Sequence, residues 1–457
     1  MSDNTPSLSI GRKLAYGVGD VGPALVATLQ GFFLNAFLLD VAGLPPQWAA
    51  AIFLIVKIWD SVNDPLIGWL SDHTHTRWGR RRPWLLFGAV PFGIAWFLQW
   101  QVPDLTTAGL FWYYLVVALL LDTGITAVNV PYTALTPEIA PDYNERTNLT
   151  TYRFSFSILG GMASLIVHET ILRSADSIVT GFAISAAVMG LVIIITNLIT
   201  FAFTEERFFH EETKKEEPGF IEGFVIAFKN RPFVMVTAVY LLTWLCIQFV
   251  QANMQLYVRY WMGADDQFIY LAVTLQLSIF VSLLIWSKVS ERIGKRHVYF
   301  LGISFWIIVE ILLFFIQPGQ MTFLLLLAGL AGVGASVGYL IPWSMLPDVV
   351  DLDELNTGLR REGVYYGFFV FLQKLGISLG LAISNLIFAA TGYINDPEPG
   401  PPFPTQPDAV LLALRLFVSL VPVIILLCSF PIVYKYPLTK ERHAQIRAEL
   451  ESRRTQS

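Results

Sequence analysis

VTGFAISAAVMGLVIIITNLITFAF, residues 179–203, contains no charged side chain. A helix rises about 1.5 Å per residue, so roughly 20 apolar residues cross the roughly 30 Å hydrocarbon core of a bilayer. The stretch reads as a membrane-spanning helix, and it sets the fold class as an all-α membrane protein. AVLLALRLFVSLVPVIILLCSFPIV (409–433) reads the same way, with Arg415 its one charge. The whole chain agrees. Of 457 residues, 54% are hydrophobic and 14% charged, with a mean hydropathy of +0.57; a soluble protein carries about 25% charged residues. The polar start MSDNTPSLSIGRK leads straight into an apolar span, so no cleavable signal peptide is expected. Cys246 and Cys428 both fall in apolar spans and read as inert core residues, not as a disulfide or metal pair. The net charge of −5 offers nothing to nucleic acid.

Twelve spans are expected, over residues 14–39, 47–70, 84–102, 108–134, 150–172, 178–204, 232–257, 266–288, 298–317, 321–346, 363–391 and 409–434. Alternate loops differ sharply in Lys and Arg. One side carries Arg12, Lys13, Arg77, Arg80, Arg81, Arg82, Arg146, Lys214, Lys215, Lys229 and Arg231. The same side continues with Arg292, Lys295, Arg296, Arg360 and Arg361, then Lys440, Arg442 and Arg447, while the other has little beyond Arg173 and Arg259. The positive-inside rule places both termini in the cytoplasm, as an even span count requires. The expected organisation is a six-helix bundle (1–204), a charged cytoplasmic linker (205–231), a second six-helix bundle (232–434) and a cytoplasmic tail (435–457). The Pro-rich NDPEPGPPFPTQP (395–407) reads as an external loop.

The loops repeat. GWLSDHTHTRWGRRRPW (68–84) follows span 2 and IWSKVSERIGKRHVY (285–299) follows span 8. Each has an aromatic, an acid, then Gly and a basic cluster. VPYTALTPEIAPDYNER (130–146) follows span 4 and IPWSMLPDVVDLDELN (341–356) follows span 10. Two halves in parallel repeat suit a transporter that rocks about a site near the membrane midplane.

KIWDSVNDPLIGW (57–69), RWGRRRPW (77–84) and SMLPDVVDLDELNTGLRREG (344–363) resemble the glycoside–pentoside–hexuronide cation symporters of the major facilitator superfamily, the group of the melibiose-type, sodium:galactoside permeases. The similarity runs over nearly the whole chain. VPYTALT and FFVFLQKLGISLG are also similar to the animal lysophosphatidylcholine symporters of that group. The resemblance implies a multi-pass protein of the cell membrane, two six-helix bundles, and symport by alternating access.

Asp60 and Asp64 share one face of a helix, with Asn63 beside them. Carboxylates inside a membrane span are costly and call for a function. These hard oxygen donors suit a small alkali cation, and Lys57 or Lys374 could balance surplus charge. The alternative is a charge-paired packing network with Lys57. The resemblance implies that Asp60, Asn63 and Asp64 bind Na+, with Thr126 as a further ligand, and proton coupling stays open. Pro131 independently leaves the Ala127 carbonyl without a helical donor.

Of the family's two sugar-binding Asp positions, one falls at Ala24 and the other at Asn129, while its Arg and Lys fall at Arg153 and Lys374. Asp20, one turn before Ala24, could face the same cavity, and Tyr132, Tyr339 and Trp343 could stack on a sugar. A pocket with Arg153 and Lys374 but without those carboxylates would suit an anionic or amphipathic ligand at least as well as a neutral galactoside. The expected substrate is a sugar or glycoside, with a lysophospholipid or other anionic amphiphile as the alternative. Asp72, Arg80 and Arg81 form a candidate cytoplasmic latch with Glu138 or Glu145. In the second half, Arg292 and Lys295 could pair with Asp348, Asp351 or Asp353. His168 reads as structural. No GxSxG, HExxH, Walker loop or His/Cys cluster is present, so no enzyme and no cofactor are expected. The expected partners are a small-molecule substrate, Na+ or H+, and the lipid bilayer, around a monomer.

Overall fold

The computed structural model describes residues 8–140, 143–206, 220–359, 361–395 and 402–456. Lys214, Lys215, Arg360, most of the charged linker and part of the Pro-rich loop lie outside them. Among the described residues there is no β-strand, only an isolated bridge between Thr76 and Gly79. The helices are α1 (Ile10–Val18), α2 (Val21–Leu29), α3 (Pro46–Asp72), α4 (Arg82–Gln99), α5 (Thr107–Ala134), α6 (Thr136–Ile139), α7 (Tyr143–Ser174), α8 (Ile178–Phe203) and α9 (Phe220–Lys229). They continue as α10 (Arg231–Leu256), α11 (Phe268–Ile293), α12 (Lys295–Phe314), α13 (Met321–Thr357), α14 (Glu362–Thr391), α15 (Asp408–Phe417), α16 (Leu420–Tyr434) and α17 (Lys440–Gln456). Ten helical segments among the described residues are long and apolar enough to cross a membrane. Helices α3 and α4 are not among those ten. The first has 27 residues and carries Lys57, Asp60, Asp64 and Asp72; the second has 18 residues and an internal Pro91.

Two compact units divide the chain, one of residues 1–213 with 394–405, the other of residues 214–393 with 406–457. Within the first, α4 packs on α5 and α8, α3 on α5, and α1 and α2 on α7 and α8. Within the second, α12 packs on α13 and α16, α11 on α13, and α10 on α14 and α16. Each of these contacts in one unit has its counterpart in the other, in the same chain order. The repeat seen in the loops extends to the packing. The α4–α8 crossing depends on two small residues, because a Cβ on Gly93 would lie 2.8 Å from the Gly190 carbonyl oxygen. Without side chains there the two backbones can meet closely, as membrane helices often do.

Several elements differ from the sequence expectation, each for a local reason. The first span is broken between α1 and α2. Pro23 lacks the N–H that would continue α1, and two π-turns follow at Gln30–Leu34 and Phe37–Val41. The last span is broken between α15 and α16, where Pro422 cannot donate to the Val418 carbonyl. Helix α13 runs to Thr357, eleven residues past the expected 346, and ends on Gly358 at φ 72. That left-handed residue donates its N–H to the Glu354 carbonyl at 2.8 Å and caps the helix. The linker was expected to reach 231, yet α9 is helical and stacks Phe224 and Phe228 against each other and edge-on to Phe368. The tail is helical too. Ile446 and Leu450 of α17 are buried, and His443 bonds Asp351 at 3.1 Å. Cys246 is buried, but Cys428 is exposed and not a core residue; both are free. His168 is buried among Phe33, Trp100 and Phe182, with Nδ1 2.7 Å from the Ser185 hydroxyl.

Candidate functional site

Helices α3 and α5 bring the candidate cation ligands together. Asp60 and Asn63 of α3 and Thr126 of α5 are buried, and Asp64 is half-buried. The Thr126 hydroxyl donates to Asp64 Oδ1 at 3.0 Å. Asn63 Nδ2 donates to Asp122 Oδ2 at 3.4 Å, which leaves the Asn63 carbonyl oxygen as its acceptor end. Lys57 pairs with Asp60 in an (i, i+3) salt bridge buried in the protein. Asp60 and Asp64 therefore part company. Lysine balances one carboxylate, while the other faces a hydroxyl on the neighbouring helix.

Asp122 joins this group although the sequence reading passed over it. The signal was available: it stands one helical turn before Thr126 in an apolar helix, the same spacing that joins Asp60 to Asp64. Asp64, Thr126, the Asn63 carbonyl and Asp122 make a set of hard oxygen donors. Pro65 and Pro131, both inside their helices, leave the Ser61 and Ala127 carbonyls without helical donors nearby. Such a donor set fits an alkali cation. Among the described residues no three His, Cys, Asp or Glu side chains form a metal-binding group.

In the same unit Arg153 Nε lies 3.2 Å from Asp20 Oδ1. The guanidinium also sits 5.3 Å from the centre of the Tyr132 ring, which stacks on Tyr16 with centroids 4.9 Å apart. The Tyr132 hydroxyl donates to the Tyr16 carbonyl at 2.7 Å. Arg153 was expected to offer its charge to a ligand. Asp20, at the break between α1 and α2, already meets that charge. Asn129 is half-buried, and its carbonyl oxygen has no hydrogen-bond partner.

Tyr339 and Lys374 belong to the second unit, on α13 and α14. Tyr339 stands edge-on to Trp244 at 5.0 Å. Trp343 donates to the Tyr240 hydroxyl at 2.6 Å, and Tyr240 stacks on Phe369 at 3.9 Å. Tyr339 and Trp343, read from sequence as candidate ligand contacts, pack on other aromatic side chains of their unit.

The latch residues form one network. Glu138 Oε1 accepts from Arg80 Nη2 and Arg81 Nε, both at 2.6 Å, and Arg81 Nη2 lies 3.1 Å from Asp72. Glu145 instead accepts the Leu8 N–H at 2.5 Å. Glu206, which the sequence reading left inside the linker, accepts the backbone N–H groups of Arg80, Arg81 and Arg82 at 2.8, 2.8 and 2.9 Å. A carboxylate there satisfies donors that the start of α4 leaves open and meets the positive end of the helix dipole. The second unit repeats the device. Lys295 Nζ pairs with Asp348 at 2.7 Å, Arg361 with Asp353 at 2.7 Å, and Asp351 with His443, while Arg292 is exposed. Gly79 and Gly294, which precede Arg80 and Lys295, both have positive φ, 101 and 84.

Gly79→Ala tests this loop. A Cβ at Gly79 would overlap the Glu206 carboxylate, and the φ is unfavourable for any L side chain. The expected loss is about 1–3 kcal/mol, read as a lower Tm of the purified protein; an unchanged Tm would mean that the Glu206 cap is not formed in solution.

Two units of matched helices, with carboxylates buried inside one of them, are an arrangement suited to a membrane transporter. A family model described as MFS/sugar transport protein matches residues 15–440. The chain belongs to that family and is a multi-pass membrane transporter with the all-helical fold of the major facilitator superfamily. An uncharacterized symporter of Synechocystis sp. is 38% identical, over 96% of each chain. The sodium-dependent lysophosphatidylcholine symporter 1 of Mus musculus is 30% identical, over 98% of this chain and 90% of its own. Among solved structures, the nucleoside transporter NupG superposes with a TM-score of 0.65 at 14% identity, covering 94% of this chain and all of its own, a likeness of fold alone.

Proposed function

We propose that this protein is a Na+-coupled symporter whose substrate is a zwitterionic amphiphile of the lysophospholipid class. The observation that carries the coupling is the Asp64–Thr126 contact between α3 and α5, with Asn63 and Asp122 beside it. Asp64, Asn63 and Thr126 would hold the ion with Asp122, while Asp60, balanced by Lys57, supports them. H+ in place of Na+ is the competing ion. Counting α3 and α4 with the ten apolar spans would give twelve, and the positive-inside rule would then favour both termini in the cytoplasm. Asp72, Arg80, Arg81 and Glu138 would form the cytoplasmic latch, with alternating access as the transport cycle.

Asp20 and Arg153 support the choice of substrate. A carboxylate and a guanidinium 3.2 Å apart match a headgroup that carries both a phosphate and a quaternary ammonium. The relatives named for lysophosphatidylcholine point the same way. A glycoside is the second reading, favoured by the unpartnered Asn129 carbonyl, which could accept a sugar hydroxyl.

Titration of the purified protein with lysophosphatidylcholine and with a methyl galactoside, each with and without Na+, separates the readings. Na+ is expected to tighten lysophosphatidylcholine at least tenfold, about 1.4 kcal/mol, and the lysolipid to tighten Na+ by the same factor. Na+-independent affinity at constant pH for both ligands would end the Na+ reading. Binding of the galactoside alone would move the substrate to the second reading.

A further inference from the structure

Helix α12 carries an acid that the cation site does not use. Glu310 is fully buried in an apolar helix. Its Oε1 accepts the Trp306 indole N–H at 2.6 Å, and its Oε2 has no hydrogen-bond partner. The side chain lines a cavity inside the second unit with about 30 Å³ of room for water centres. Tyr257 lines the same cavity; it is 2% exposed, and its hydroxyl is also unpartnered. Two orphaned polar groups, on α12 and on the turn after α10, meet one small space.

The lining decides what that space can hold. Glu310 and Tyr257 are the only lining residues with side-chain oxygen; the others are aliphatic or Met254. Three side-chain oxygens, one already accepting from Trp306, are too few for Na+ or a divalent cation. An apolar guest would leave both groups unsatisfied. Water satisfies them, and the room suffices for roughly two molecules. The titratable neighbour of Glu310 is Cys246 of α10, which donates toward the Pro422 carbonyl, and beyond Cys246 stand Tyr299 of α12 and Cys428 of α16. Arg415, near Tyr257, is held by the Phe314 carbonyl and by the faces of Trp261 and Phe314. Among the described residues no cation pairs with Glu310.

We propose that Glu310, Tyr257 and the water in their cavity form a proton-exchanging site in the second unit, separate from the Asp64 group. The Glu310 carboxyl gives its proton to cavity water, leaving a carboxylate and a hydronium ion, and takes it back in reverse. Trp306 and, through water, Tyr257 donate to the carboxylate.

Infrared spectra of the full-length protein in lipid nanodiscs read this site without a substrate. The wild type is expected to show the C=O stretch of a neutral carboxylic acid that Glu310→Gln removes and Asp64→Asn leaves in place. The band should fade as the buffer is made alkaline and shift promptly in D2O, more slowly in Tyr257→Phe. A band that ignores both pH and D2O would mark a sealed structural acid and overturn the proposal, as would a band that survives in Glu310→Gln. Should Glu310→Gln fail to fold, dicyclohexylcarbodiimide on the wild type decides. Modification at Glu310 that declines with rising pH supports the site; no modification at any pH overturns it.

Discussion

Asp64→Asn is expected to abolish Na+-driven uptake while the protein still inserts and folds. The amide keeps an oxygen for the Thr126 hydroxyl, 3.0 Å away in the wild type, so packing between α3 and α5 survives. What disappears is the charge that meets the ion. Na+ affinity should fall roughly a hundredfold, about 2.8 kcal/mol, measured by Na+ titration of intrinsic fluorescence and by uptake into proteoliposomes under a Na+ gradient. Asp60→Asn should behave differently, because it removes the carboxylate from the buried salt bridge with Lys57. Its main loss is expected in folding yield, and Lys57→Met in the same chain should restore it. Equal loss of Na+ affinity in Asp64→Asn and in that double variant would return Asp60 to the ion's own ligand set. Unchanged Na+-driven uptake in Asp64→Asn would sink the site.

Glu138→Ala is expected to be the most destabilising change in the loops of the first unit. One carboxylate oxygen accepts from both Arg80 and Arg81, whose side chains are 16% and 10% exposed. Removing it takes away the carboxylate that both guanidinium groups share. Stripping one partner from a buried ionic group costs about 3–5 kcal/mol, a large part of the stability of most proteins. Thermal unfolding in detergent reads the loss. Asp348→Ala, at the matching place in the second unit, should cost less, since Lys295 is 34% exposed and can turn to water. An Asp348→Ala loss as large as that of Glu138→Ala would show that exposure does not set the cost.

Hydropathy averaged over about 20 residues made the helical fold readable, because the bilayer tests a whole segment at once. Helix ends and breaks answer to single residues, and there the sequence said less. Pro23 and Pro422 were visible, yet their effect depends on which carbonyl loses its donor. Asp348, Asp351 and Asp353 looked like a loop because they are charged, but Lys295 and Arg361 neutralise Asp348 and Asp353, His443 hydrogen-bonds Asp351, and α13 runs on. The charged residues inside spans were the most legible part of the site, being out of place in an apolar helix. Periodicity places residues on a face and says nothing of what stands opposite. The Lys57–Asp60 pair, at (i, i+3) on one helix, was within reach of the sequence, whereas the Asp20–Arg153 pair became visible only in three dimensions. Asp122 and Glu310 obeyed the same out-of-place logic and were passed over, whereas Glu206 was lost in a charge-rich stretch that reads as solvated.

The Glu206 cap also orders events on the ribosome. Arg80 and its acceptor are separated by 126 residues, so α4 leaves the exit tunnel long before its terminal N–H groups have their partner. At translation rates of 5–20 residues per second the delay is on the order of 6–25 s. Through that interval the nascent first unit holds the loop between α3 and α4 uncapped, and closure waits for α8 to be delivered. An arrested chain ending short of residue 206 should keep this loop open to protease, and one that extends past it should close it.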